Sequence, residues 1–285
     1  MKTAVLGTGL MGYPMAERLL AAKHAVCVYN RTRAKAGPLA QKGATVASSA
    51  KEAVESAACV ILMLADIKAI EKVLFGEEKI NLAGKTVIQM GTIAPRESIA
   101  LAQRVIKGGG EYLECPVLGS RGEAAKGGLI LMVGSTKKQF RAWQGFLKVF
   151  GPQPLYIGEV GKAAAMKLAL NQLIASHAAG FSLSLGIVEK SGVAVETFMD
   201  VLNKSPLCAK MFEKKLGNWL GRKYDNPNFP VKHLLKDVGL IIREAKALGL
   251  STDVIEGIDR VLQKTVDKGL GEKDYSALFN AVNNI

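Results

Sequence analysis

The chain has 285 residues, 49% hydrophobic and 22% charged, with a formal net charge of +13. That length and balance allow one large or two smaller globular domains, and they exclude a disordered chain or a small disulfide-stapled one. The basic excess raises nucleic-acid binding, but the lysines and arginines are scattered and no basic run carries interleaved aromatics, so solubility and attraction of small anions are the expected uses.

The first half alternates short apolar runs with segments of helical spacing. The runs Thr3–Leu6, Ala25–Tyr29, Cys59–Leu64, Thr86–Met90, Tyr112–Glu114, Leu129–Val133 and Leu155–Ile157 predict strands. Between them Met11–Ala22 and Pro95–Ile106 repeat apolar residues at about 3.6-residue spacing and predict helices. Most of the strands are continuously apolar, as strands covered on both faces are. The alternation predicts an α/β fold with a doubly wound parallel sheet over 1–160. Beyond that the strand signal stops. The segments Ala163–Ser191, Val195–Leu202, Ala209–Leu220, Leu234–Leu248, Thr252–Lys268 and Tyr275–Asn283 predict an all-helical second domain over 161–285, entered through the long first helix. The stretch "RKYDNPNFP" (222–230), with two prolines and two asparagines, predicts a loop.

Within the long helix, Leu168–Val188 has 21 residues and no Asp, Glu, Lys or Arg. It is long enough to span a bilayer, but Asn171, Gln172, Ser176, His177, Ser182 and Ser184 load it with polar groups. A helix buried between domains or subunits is the expected reading, with a homodimer or homotetramer as its consequence. The cysteines, Cys27, Cys59, Cys115 and Cys208, form no CxxC pair, and no Cys/His cluster has metal-ligand spacing. Cys27 and Cys59 sit in apolar runs, where a buried reduced thiol is ordinary. A reducing, cytoplasmic setting is expected, and the apolar stretch after Lys2 breaks at Gly7 with no cleavage site of a secretory signal.

The first strand runs straight into "GTGLMG", with Gly7, Gly9 and Gly12 followed by a helix. G-x-G-x-x-G alone is a weak pattern, but between a strand and a helix it has a specific use. The first glycine permits the tight turn, the second lets the backbone approach a pyrophosphate, and the third lets helix and strand pack closely. The helix N-terminus, from Leu10 and Met11 onward, offers free N–H groups to the phosphates. The second strand ends in Asn30, Arg31 and Thr32, where an NAD site usually has an acidic residue for the ribose 2′-hydroxyl. Arg31 can stack on the adenine or pair with a 2′-phosphate, and Thr32 can donate its hydroxyl. These residues predict NADP rather than NAD, against the plainer reading of a solvated basic loop.

The blocks "GTGLMGYPMAERL" (7–19), "LML" (62–64), "TIAP" (92–95), "ECPVLGSRGEAAKGGL" (114–129), "GKAAAMKLALNQ" (161–172) and "HLLKDVGL" (233–240) follow one another in order. Together they resemble the β-hydroxyacid dehydrogenase family, which includes 3-hydroxyisobutyrate dehydrogenase and the glyoxylate and succinic semialdehyde reductases. The resemblance covers essentially the whole chain. It implies a Rossmann domain followed by a helical domain, and hydride transfer between NADPH and a small carbonyl or hydroxy-acid substrate. It places Met63, Leu64 and Thr92 along the cofactor and Lys236 closing over it. It places Pro116, Val117, Leu118, Gly119 and Ser120 in the substrate loop. It makes Lys167 the general acid in carbonyl reduction and the base in alcohol oxidation, with Asn171 holding the substrate oxygen or orienting the lysine, and no metal is required. From the residues alone, Lys167 and Asn171 lie four apart and share one helix face among apolar or small neighbours. A lysine in such a stretch is costly unless it is paired, functional or snorkelling at an edge, and burial lowers a lysine pKa towards a working range.

The departures bear on the substrate. The family loop usually has serine after Pro-Val, with its hydroxyl on the substrate carboxylate, and here Leu118 stands there. Gly119 and Ser120 remain to bind a carboxylate through backbone N–H groups or the Ser120 hydroxyl. The usual Asp-x-Ser-Thr reads Gln89, Met90, Gly91, Thr92, and the aspartate that opens the loop motif is Glu114. His24 and His177 are not expected to be ligands, while His233 abuts the Lys-Asp motif and is a candidate for a supporting place. Two other readings stand beside the reductase. Imine reductases share this fold but usually replace the lysine. A non-catalytic NADP-binding regulatory protein would have no need of Lys167 and Asn171 together.

Overall fold

The computed structural model describes residues 1–285. It forms two compact units, Met1–Leu168 and Ala169–Ile285. The first holds nine strands: β1 (Lys2–Leu6), β2 (Ala25–Tyr29), β3 (Thr45–Val46), β4 (Cys59–Leu62), β5 (Thr86–Gln89), β6 (Glu111–Glu114), β7 (Val117–Leu118), β8 (Ile130–Gly134) and β9 (Leu155–Gly158). Its helices are α1 (Gly12–Ala21), α2 (Gly37–Ala40), α3 (Ala50–Glu55), α4 (Ile67–Phe75), α5 (Pro95–Lys107), α6 (Arg121–Lys126) and α7 (Lys137–Leu147). The sheet order is β3-β2-β1-β4-β5-β6-β8-β7, with β9 on β8. From β3 to β6 all neighbours are parallel. Strand β8 then runs antiparallel to β6 and β7 and parallel to β9.

Alternate residues of each parallel strand enter opposite cores. Val5, Ile61 and Ile88 join Met15, Leu19 and Phe150 on one face. Ala4, Leu6, Val60, Leu62 and Val87 join Ile70, Leu74 and Leu101 on the other. Two covered faces explain the continuously apolar runs. The chain leaves β1 towards β2 and β3, then crosses back so that β4 lies on the other side of β1. That reversal opens a crevice at the carboxyl ends of β1 and β4, where open α/β sheets bind ligands.

Two strands were not legible beforehand. β3 and β7 have two residues each, too few to show a period. β4 ends at Leu62 rather than at Leu64, because the chain bends there to bring the Met63 carbonyl against Gly7.

Helix α8 (Lys162–Lys190) carries the chain from one unit into the other, so the division falls inside it rather than at the predicted 160/161. Its first turn belongs with the sheet, tied there by Glu114 (below). The second unit continues with α9 (Val195–Asn203), α10 (Lys210–Gly221), α11 (Val231–Ala247), α12 (Asp253–Thr265) and α13 (Leu278–Val282). Its core is aromatic: Phe181 stacks on Phe212 at 4.4 Å between centroids and meets Trp219 at 4.7 Å. Lys215 and Asp274 form a buried ion pair at 2.7 Å. The Asp274 carboxylate also accepts from Ser276 and from the Asn228 amide, so the buried charge is fully hydrogen-bonded. No helix is long and apolar enough to cross a membrane, the uncharged segment of α8 included.

Candidate active site

The turn after β1 is set by contacts only glycine allows. Gly7 has φ +100°, and a Cβ there would lie 2.3 Å from the Met63 carbonyl oxygen. A Cβ on Gly12 would lie 1.9 Å from the Gly7 oxygen, so α1 can start this close to β1 only without a side chain. Gly9 differs: a Cβ there meets nothing within 4 Å. Its bareness serves no contact inside the protein, and it leaves the loop open to close approach by a ligand. Met11 stands at the N-cap of α1 and no side chain caps the helix; the Tyr13 amide donates to the Gly9 carbonyl at 3.1 Å and Pro14 has no N–H, so the amides that face an anion here are those of the turn itself, up to Gly12. This uncapped turn, with its bare glycine, fits a dinucleotide pyrophosphate.

Asn30 also has a place in the chain's own framework. Its Oδ1 accepts from the Thr8 amide at 3.0 Å and its Nδ2 donates to the Thr32 carbonyl at 3.0 Å. Both ends of the amide are engaged in tying the glycine turn to the end of β2. Arg31 and Thr32 follow it and are exposed. Thr8 passes unnoticed in the sequence, yet its hydroxyl is buried without a partner. Met63 and Leu64 do come to the turn: the Met63 amide donates to Leu6, and a Cβ on Gly7 would touch Leu64 Cδ2 at 3.1 Å. Gly91 has a local reason as well. The buried Gln89 side chain accepts from its amide at 3.0 Å and donates to its carbonyl at 3.1 Å, and a Cβ there would lie 2.8 Å from the Leu64 oxygen. Thr92 follows, half-buried.

The loop 116–120 differs from expectation at Ser120. Val117 and Leu118 pair with Leu131 and Ile130 as β7. Gly119 turns the chain at φ +131°, and Ser120 becomes the N-cap of α6. The Ser120 amide donates to the Glu123 carboxylate at 2.8 Å, and its hydroxyl donates to the same oxygen. This is a capping box, so the Ser120 amide and hydroxyl are engaged by a carboxylate of the chain itself, while the Gly119 amide is not part of it.

Glu114, at the end of β6, is 1% exposed. Its Oε1 accepts from the amides of Gly161, Ala163 and Ala164 at 2.8, 2.9 and 3.1 Å. Its Oε2 accepts from the Ser98 hydroxyl, which also contacts the Tyr112 hydroxyl at 2.8 Å. Burial pushes the Glu114 carboxyl above its ordinary value, opposed by these hydrogen bonds. Lys167 lies on the helix that Glu114 receives, half-buried, one turn beyond Ala163.

In the second unit Asn171 is 1% exposed and donates through Nδ2 to Asp237 Oδ2 at 2.6 Å. A carboxylate only accepts, so the amide nitrogen must face it. That leaves Asn171 Oδ1, which has no partner in its buried position, as the group to receive a donor. Lys236 Nζ lies 2.7 Å from Asp237 Oδ1. His233, on the same helix, is held below its ordinary pKa by burial and then by Lys232 and Lys236. His24 and His177 make edge-on ring contacts with Phe146 and Phe212.

Residues 2–158 match the family described as the NAD binding domain of 6-phosphogluconate dehydrogenase. Residues 161–282 match the one described as NAD-binding of NADP-dependent 3-hydroxyisobutyrate dehydrogenase. The chain is 32% identical over 286 residues to glyoxylate/succinic semialdehyde reductase 1 of Arabidopsis thaliana, covering 99% of this chain and 98% of that one. It is 28% identical to the cytokine-like nuclear factor N-PAC of Drosophila melanogaster, covering 96% of this chain but 46% of that one. Among solved structures, 3-hydroxyisobutyrate dehydrogenase from Salmonella typhimurium superposes with a TM-score of 0.86 at 21% identity, over 98% of this chain and 99% of that one. At that identity the likeness speaks for the fold alone.

Proposed function

This chain belongs to the β-hydroxyacid dehydrogenase family, of the 3-hydroxyisobutyrate dehydrogenase and glyoxylate/succinic semialdehyde reductase type, and on that premise we propose that it is an NADPH-dependent reductase of a small aldehyde or keto acid. The observation that carries the reading is the end-to-end likeness to a semialdehyde reductase, together with Lys167 and Asn171 in the block that resembles the family's lysine helix. The amides of the glycine turn, up to Gly12 at the start of α1, would hold the pyrophosphate, and Arg31 with Thr32 the adenosine end. When bound, the nicotinamide supplies a hydride to the carbonyl carbon, or accepts one from the alcohol. Lys167 Nζ gives the proton to the carbonyl oxygen in reduction and takes it back in oxidation. Asn171, its nitrogen turned to Asp237, presents Oδ1 as an acceptor. Leu118 lines the substrate loop.

The test is NADPH oxidation with a panel of aldehydes, keto acids and cyclic imines. Turnover of carbonyls bears the reading out. Turnover of imines alone makes the chain an imine reductase. Tight NADPH binding without any turnover favours a regulatory protein, as the partial likeness to N-PAC would suggest.

The substrate loop carries a sharper expectation. Leucine at 118 offers no hydrogen bond to a carboxylate, and a lost bond to a charged group is worth about 1.5–3 kcal/mol. The engagement of Ser120 by Glu123 removes one substitute, the Ser120 amide and hydroxyl. Apolar substrate atoms against Leu118 gain about 25 cal/mol per Å² instead. Glyoxylate is therefore expected to be a weak substrate beside a longer semialdehyde or a less polar carbonyl. Leu118→Ser should shift the kcat/KM ratio towards small carboxylated aldehydes by about tenfold, one hydrogen bond's worth. An unmoved ratio refutes it.

A homodimer or homotetramer is also proposed. Leu173, Leu183 and Ile187 of α8 are 49%, 55% and 59% exposed, and the 21 residues from Leu168 to Val188 bring no charge among them. So much uncharged surface on one helix is expected to be covered by a second copy. Light scattering at micromolar concentration should give at least twice the 30.4 kDa of one chain; a monomer contradicts it.

A further inference from the structure

The start of α8 is built in an unusual way. A helix N-terminus is ordinarily closed by a side chain one to three residues away. Here the acceptor comes from a strand end, 47 to 50 residues earlier in the chain. One oxygen of Glu114 takes three amides, those of Gly161, Ala163 and Ala164, and the other takes the Ser98 hydroxyl. The surroundings are shaped to admit it. A Cβ on Gly134 would lie 2.3 Å from Glu114 Oε1, so β8 passes this carboxylate only as glycine. Gly161 takes φ +99°, a conformation that turns its amide into the cluster and that other residues rarely adopt.

A buried carboxylate is costly unless every lone pair is used. This one meets the positive end of a helix and several donors, the arrangement that favours an anion most. An apolar residue would close the end of β6 more simply. What the carboxylate adds is direction: three amides on one oxygen fix the first turn in both position and tilt. Lys167 stands one turn beyond Ala163 on the same face, so its amine inherits that placement.

We propose that Glu114 is a positioning residue for Lys167, its buried carboxylate fixing the first turn of α8 and so the point from which the amine works. This rests on the reading of Lys167 as the proton-carrying group. A misplacement of about 1 Å is enough to cost a reaction about a hundredfold. The glycine turn at residues 7–12 is tied to Tyr29, Asn30 and Met63 rather than to this cluster, so cofactor affinity should be spared.

The test compares Glu114→Gln, Glu114→Ala and Lys167→Ala in the full chain. Kinetic constants are measured together with amide hydrogen exchange over residues 161–168. In Glu114→Gln, which keeps the shape but not the charge, kcat should fall several-fold while KM for NADPH stays within about twofold. In Glu114→Ala kcat should fall about tenfold or more, with faster exchange in the first turn. Glu114→Asp, which keeps the charge on a shorter arm, should recover part of the loss. If the alanine variant does not fold, the glutamine variant carries the test. Normal kcat in Glu114→Gln and Glu114→Ala while Lys167→Ala is inactive overturns the inference and leaves the Lys167 reading standing. Faster exchange with normal kcat overturns it too, making the anchor structural only. A parallel loss of NADPH affinity and kcat also overturns it, as general damage. Full activity in Lys167→Ala overturns the reading beneath it, and the inference with it.

Discussion

Lys167→Ala is expected to lower kcat by about 10²–10⁴, the ordinary worth of a positioned general acid, while NADPH binds nearly as before. The reasons are local. Lys167 lies in the interior of a 29-residue helix, and alanine is the best helix former, so the backbone should hold. The residues that would carry the cofactor are at the ends of β1, β2 and β4, in contacts of their own. The measurement is kcat at saturating NADPH alongside NADPH affinity by fluorescence titration. Lys167→Arg separates proton transfer from charge. Arginine keeps the positive charge but does not release its proton in the working range, so it should be nearly as inactive as alanine. Either variant retaining more than about a tenth of the activity would rule Lys167 out, because general acid catalysis contributes at least a hundredfold.

What could be read from the sequence follows the range of the interactions involved. The strands that carry the crevice announce themselves because each is buried on both faces and continuously apolar. The long helix announces itself by length. Gly7, Gly9 and Gly12 are legible because their spacing sits between a strand and a helix, and the structure adds that the three do different things. The Ser120 capping box was also legible, as Ser120 and Glu123 at S-x-x-E spacing before a short helix. It is easily passed over when the loop is read for a ligand. Asn30 illustrates a different limit: its residue type suits both a cofactor contact and a brace, and the brace shows only in the 3.0 Å bonds to Thr8 and Thr32. Glu114 with the first turn of α8, and Asn171 with Asp237 66 residues away, depend on tertiary placement that no local pattern encodes.

The position of Asn30 sharpens the cofactor question. Its amide braces the turn to the segment after β2, and Arg31 and Thr32, both exposed just beyond it, are the residues that can discriminate between the two dinucleotides. No acidic residue stands there to receive a ribose 2′-hydroxyl. NADPH is therefore expected to be preferred, with the Arg31 guanidinium on the 2′-phosphate. A hydrogen bond to a charged group contributes about 1.5–3 kcal/mol, so Arg31→Asp should weaken NADPH roughly 10- to 100-fold. NADH should change little or improve, because the new carboxylate can accept from the 2′-hydroxyl. Exposure adds a second signature. A solvent-facing ion pair is screened by salt, so raising the ionic strength should weaken NADPH more than NADH in the unchanged protein, and the difference should be lost or reversed in Arg31→Asp, where salt screens repulsion instead. Fluorescence titration of both cofactors at two salt concentrations reads all of this. Equal or tighter NADH binding by the unchanged protein, or parallel losses of both cofactors in the variant, would mean that the basic turn after Asn30 is a solvated loop and that the pyrophosphate turn alone sets the affinity.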